Sequence, residues 1–155
     1  MYSVTKHYPH SLGLSVVFRQ FKATSHCAQF HGYALAFTAE LTASTLDRRG
    51  WVYDFGGLKP FKAWLTETFD HRLLLDINDP LSKDINFLNA MDTHQAANIV
   101  RVERVGCEAF AKLAHEKITT VIEHDSDAVL RNVRCRRMTV HEHAGNSASY
   151  APKEI

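Results

Sequence analysis

No apolar run in the chain comes near the roughly 20 residues that a bilayer-spanning helix needs. The opening MYSVTKHYPHSLG also lacks the apolar centre of a signal peptide, so the sequence reads as a cytosolic protein. Neither sign of charge is in excess. With 18 Lys and Arg against 17 Asp and Glu there is no overall field to draw nucleic acid, an anionic membrane or an acidic partner. Cysteine is scarce: Cys27, Cys107 and Cys135 are odd in number and widely spaced, which fits reduced thiols, free for chemistry, better than a disulfide framework. There is no repeat, low-complexity tract or Pro/Ser-rich linker. At 155 residues the chain therefore reads as one domain over 1–155, long enough to bury a core.

Periodicity supplies the elements. Residues 12–24 (LGLSVVFRQFKAT) and 33–43 (YALAFTAELTA) look extended, and in the second Tyr33, Leu35, Phe37, Ala39 and Leu41 share one side, with His31 in the same parity. In LKPFKAWLTETFD, Leu58, Phe61, Leu65 and Phe69 fall at helical spacing behind a Pro60 suited to a first turn. CEAFAKLAHEKITTVI is a second helix, with Phe110, Leu113, Ala114, Ile118 and Val121 in one stripe. Between them, 71–104 shows no clean period and reads as loop with room for a short helix. AVLRNVRCRRMTVHEH is extended, as one long strand or a final hairpin, and the tail from Tyr150 reads as frayed. This order predicts an α+β fold, an antiparallel sheet with helices on one face. Arg131, Arg134, Arg136 and Arg137 split between the two faces of their strand and build no single basic stripe, so a nucleic-acid partner is not expected.

SHCAQFHGY (25–33) concentrates donor side chains. His31 and Tyr33, two apart on a strand, present to one face, and His26 lies five residues earlier across a short turn. Histidine is a usual zinc ligand and tyrosine an uncommon one. From spacing alone a metal-centred site and an ordinary polar turn both stand.

The quoted residues resemble a known family. Cys27 four residues before HG resembles the C-x-x-x-H-G-H signature of the 6-pyruvoyltetrahydropterin synthase and 6-carboxytetrahydropterin synthase family. WVYDFGGLK (51–59), TFDHRLL (68–74), VGCEAFAK (105–112) and VHEHAGNSASY (140–150) are similar, in the same order, to the family's G-W-x-x-D-F-x-x-L-K, L-D-H-x-x-L, P-T-x-E-x-x-A and V-x-E-T followed by tyrosine. The resemblance implies a tunnelling fold: a four-stranded antiparallel sheet with two helices on one face, several copies forming a barrel, and active sites between subunits. It implies a lyase converting 7,8-dihydroneopterin triphosphate with loss of triphosphate, in 7-deazaguanine (queuosine) or pterin biosynthesis. By position, Cys27 matches the catalytic base, Asp70 and His71 the proton-relaying pair, and Glu142 the pterin anchor. Cys107 and Glu108 fall at the pocket-lining helix start, and His31 matches the first histidine of HGH, one of the zinc ligands. The chain departs from the pattern at the metal. Tyr33 stands at a ligand position, and the family's F-x-A-A-H laid on FKATSH puts Ser25, not His26, under the histidine. Three outcomes stay open: zinc held by His26, His31 and Tyr33; a ligand from 71–104 or a second subunit; or loss of the metal.

Overall fold

A computed structural model describes residues 1–153. In chain order the elements are β1 (Tyr2–Tyr8), β2 (Leu14–Phe18), β3 (His31–Ala43), α1 (Lys59–Phe69), β4 (Arg72–Asp76), α2 (Ile85–Thr93), β5 (Ile99–Val102), α3 (Cys107–Glu123), α4 (Ser126–Leu130), β6 (Arg134–His143) and β7 (Asn146–Tyr150). No helix is long and apolar enough to cross a membrane, among the described residues.

β3 is the spine. β1 pairs along its C-terminal half, from Phe37 to Ala43, and β6 runs antiparallel along its other edge, with β7 returning beside β6 as a hairpin. β1, β3, β6 and β7 make the four-stranded antiparallel sheet that the resemblance implies. Three strands extend it: β2 pairs with the start of β3, and β4 and β5 are added in parallel beyond β2. The result is a seven-stranded mixed sheet.

Four local expectations change. The extended stretch at 12–24 is a strand only over Leu14–Phe18, and β1 precedes it. The 71–104 segment is not mainly loop: it holds β4 and β5 as well as the short helix α2. Its strand β4 is a run of three buried leucines, and a strand buried on both faces carries no alternation to read. The extended reading of 128–143 gives way to α4 up to Leu130, with β6 starting at Arg134. Tyr150 closes β7 instead of fraying; residues 151–153 carry no regular structure, and the rest of the expected frayed tail lies outside the described residues.

α1 and α3 cover one face of the sheet. Leu58, Phe61, Leu65 and Phe69 are all buried, as their spacing predicts, and α3 buries Phe110, Ala111, Ala114, Ile118 and Ile122, with Leu113 and Val121 partly covered at the edge of the stripe. The aromatic centre links sheet to helices: Phe37 lies 5.0 Å from Phe69, Phe69 5.4 Å from Phe110, and Phe110 5.2 Å from Phe18, ring centre to ring centre. The 77–102 segment is latched to the loop after β2. Arg19 grips the buried Asp79 carboxylate with two bonds of 2.7 Å, and Phe30 stacks on Phe87 of α2 at 6.1 Å.

Candidate functional site

β2 and β3 pair with Leu14 opposite Leu35, Val16 opposite Tyr33 and Phe18 opposite His31. Residues opposite one another in an antiparallel pair point to the same face, so His31 and Tyr33 emerge on the helix-covered side at the end of the sheet, where cover runs out. Both are half-buried. The loop after β2 brings Cys27 alongside in a short 3-10 turn, His26–Ala28, capped by the Ser25 hydroxyl. Gln20 ties this loop to α3: its backbone N–H donates to the Cys27 carbonyl at 2.8 Å and its side-chain amide to the Val105 carbonyl at 3.0 Å. Gly106, at φ +109°, lies against that amide, and a Cβ there would collide with it.

From the other side, β6 delivers Glu142. The β6–β7 ladder shifts register between His141 and His143, so Glu142 sits in a bulge, the local device that re-aims a strand side chain. Electrostatics show what has been assembled. Burial and then the charges of Glu142, Cys27 and Cys107 raise the Tyr33 phenol above its ordinary range. Burial and the Glu142 carboxylate, with Glu108 adding to them, push the Cys107 thiol to about 12. Cys107 is thus a neutral S–H facing a carboxylate. Cys27, Tyr33, Cys107, Glu108 and Glu142, drawn from three separate stretches of sequence, share one neighbourhood.

Asp70 and His71 form a pair at 2.7 Å between the Asp70 Oδ1 and His71 Nδ1, leaving the other imidazole nitrogen outward on a side chain that is 83 % exposed. His71 itself is held at φ +53°, with its N–H on the Ser15 carbonyl at 2.7 Å. It lines a cleft with Ser15, Val17, Phe30 and Phe87. Ser15 and Val17 alternate with Val16 and Phe18, so the pair lies on the opposite face of β2 from His31 and Tyr33. Among the described residues neither member makes a hydrogen bond to Cys27.

Of the candidate metal ligands, the fold brings His31 and Tyr33 together, 5.7 Å ring to ring, and sets His26 in the loop after β2. β2 ends at Phe18, so FKATSH is loop and the His26 of the exposed turn is not a strand residue facing His31. The residue that β2 places across from His31 is Phe18, 5.0 Å away ring to ring. Tyr33 offers a phenol oxygen, an uncommon zinc ligand beside the usual histidine, cysteine and carboxylate donors. Among the described residues no three His, Cys, Asp or Glu side chains converge as ligands. The residues present do not fit a zinc ion. Phe18 and His143, 6.2 Å from Tyr33 ring to ring, are the neighbours that sequence reasoning did not assign. Only the β2–β3 register reveals the first, and the second follows from the bulge.

The family model described as 6-pyruvoyl tetrahydropterin synthase matches residues 7–153. The chain belongs to that family. It is 25% identical over 139 residues to the 6-carboxy-5,6,7,8-tetrahydropterin synthase of Aquifex aeolicus, covering 89% of this chain and 83% of that one. It is 37% identical to the enzyme of the same name from Rickettsia conorii over 54 residues, 34% of this chain and 39% of the relative. In fold it is similar to an uncharacterized protein from Wolinella succinogenes, at 20% identity and a TM-score of 0.76 over 98% of each chain. It is also similar to 6-pyruvoyl tetrahydropterin synthase from Caenorhabditis elegans, at 18% identity and a TM-score of 0.59 over 98% of this chain and 94% of that one. As a member of the 6-pyruvoyl tetrahydropterin synthase family, the chain departs from the three-histidine pattern at Tyr33.

Proposed function

We propose that the chain is a pterin-converting lyase of the 6-carboxytetrahydropterin synthase type. It acts on 7,8-dihydroneopterin triphosphate with loss of triphosphate, in 7-deazaguanine (queuosine) or pterin biosynthesis. The observation that carries this reading is the gathering of Cys27, Cys107 and Glu142 around Tyr33 in a chain of this family. A carboxylate accepts two parallel N–H bonds, which suits the amino and ring N–H edge of a pterin, and Glu142 takes that role. The Cys107 thiol and Glu108 line the same end. Cys27 is the side chain placed to remove a proton from the carbon beside a side-chain oxygen once its thiol ionises.

Asp70 orients His71, which returns the proton. Because this pair projects from the far side of β2, it serves the Cys27 of a neighbouring copy, and the working enzyme is a homo-oligomer with sites between chains. We place the protein in the cytoplasm. The zinc of the family takes no part in this reading, since its donors do not fit. A second reading, a pterin-binding protein without turnover, is favoured by Phe18 alone; a 6-pyruvoyl-type product is the variant within the first. Incubation with 7,8-dihydroneopterin triphosphate, with triphosphate and pterin products followed by mass spectrometry, tests the proposal. Release of triphosphate with a 6-carboxy product supports it. Tight pterin binding with no turnover favours the binder.

A further inference from the structure

A zinc site needs three or four donor side chains converging on one point. β3 offers His31 and Tyr33; β2 answers with Phe18 and Val16, neither of which carries a lone pair. Phe18 is 1 % exposed and is backed by Phe110 at 5.2 Å, so the space beside His31 on that side is filled with carbon.

The two histidines near Tyr33 are set in opposite senses. His31 Nδ1 lies 2.7 Å from the Gln29 carbonyl oxygen, which only accepts, so Nδ1 carries the proton and Nε2 holds a lone pair. His143 Nδ1 accepts the Gly145 backbone N–H at 3.0 Å, so its proton is on Nε2. Their rings lie 5.7 and 6.2 Å from the Tyr33 ring. One fixed acceptor and one fixed donor thus flank a phenol, beside an apolar wall.

We infer that the site takes the oxygenated C6 side chain of a pterin by hydrogen bonds, without a metal. His31 Nε2 accepts from a side-chain hydroxyl, His143 Nε2–H donates to a neighbouring oxygen, and Phe18 packs against the carbons between. The ligand class rests on the pterin reading above; the absence of a metal role rests on the donor set alone. The hydrogen-bonding pair does for the side chain what a chelating cation does where three donors converge.

Metal content, thermal unfolding and pterin binding of the full-length protein test this together. After incubation with zinc and desalting, the wild-type chain retains under about a tenth of a zinc per chain, and zinc leaves its unfolding midpoint unmoved. Neopterin, followed by its fluorescence, binds equally with and without excess EDTA. His31→Ala and His143→Ala each weaken neopterin about tenfold, while pterin lacking a C6 substituent binds both variants as it binds wild type. His143→Gln, which keeps an N–H, recovers most of the loss. Restoring donors with F18H/Y33H raises retention to about one zinc per chain. About one zinc per wild-type chain that disappears in His31→Ala, or neopterin binding abolished by EDTA, overturns the inference. A zinc-free chain that binds neither pterin overturns the proposed function and the ligand class, and leaves the metal arm answered on its own.

Discussion

The two halves of β3 differ in what surrounds them. From Phe37 to Ala43 the strand has β1 on one edge and β6 on the other, and its inward residues Phe37, Ala39 and Leu41 are fully buried. From His31 to Leu35 it pairs with β2, and His31 and Tyr33 keep part of their surface in water. One strand therefore anchors the core at one end and carries polar side chains at the other. Burial rewards apolar volume where neighbours close on all sides, and tolerates imidazole and phenol where they do not.

The largest break in that comparison comes from the anchored half. Phe37→Ala removes a ring packed against Phe69 and should cost about 3–5 kcal/mol of stability, read from urea unfolding. The open half is held from outside by Arg19 and Asp79, and Asp79→Ala should cost about 2–3 kcal/mol, below the range for a wholly buried pair because Arg19 is partly exposed. The Arg19 bonds hold the Asp79 carboxyl below its usual range against a smaller opposing effect of burial. A carboxyl lowered in the folded state stabilises above its unfolded value, near pH 4, and loses that contribution as pH falls through the folded value. The acid side of the wild-type stability profile should fall there, and Asp79→Asn should flatten it.

Next in size, Glu142→Gln should move stability by under about 0.5 kcal/mol yet weaken pterin binding about 10- to 100-fold, measured by fluorescence titration. A stability loss as large as that of Phe37→Ala would place Glu142 in the core instead. The smallest test is chemical. Alkylation of the folded protein at pH 8 should label Cys27 ahead of Cys107 and Cys135, whose thiols burial pushes to about 12; peptide mapping distinguishes them.

Helix positions were legible because each depends on neighbours three and four residues away: the stripe Leu58, Phe61, Leu65, Phe69 needs no partner to be seen. The Asp70–His71 pair was legible for the same reason, being adjacent in sequence and in space. β4 was not, since a parallel strand inside the sheet loses the alternation that marks strands with one wet face, and the edge strand β5, four residues long, is too short to show one. The metal shell stayed open in the sequence for a third reason. Laying F-x-A-A-H on FKATSH compared residues by order, whereas the side chain facing His31 is chosen by strand pairing.

By itself the sequence determined the apolar stripes of α1 and α3, the chemical kinds of side chain available near His31, and the order of motifs that ties the chain to its family. Those follow from local spacing and residue type. Tertiary structure alone decided that Phe18 stands opposite His31, that a bulge turns Glu142 toward Cys107, and that His71 shares a cleft with Ser15 and Val17, on the face of β2 opposite His31. Each depends on register, and a slip of one residue in pairing would send every side chain of the strand to the other face.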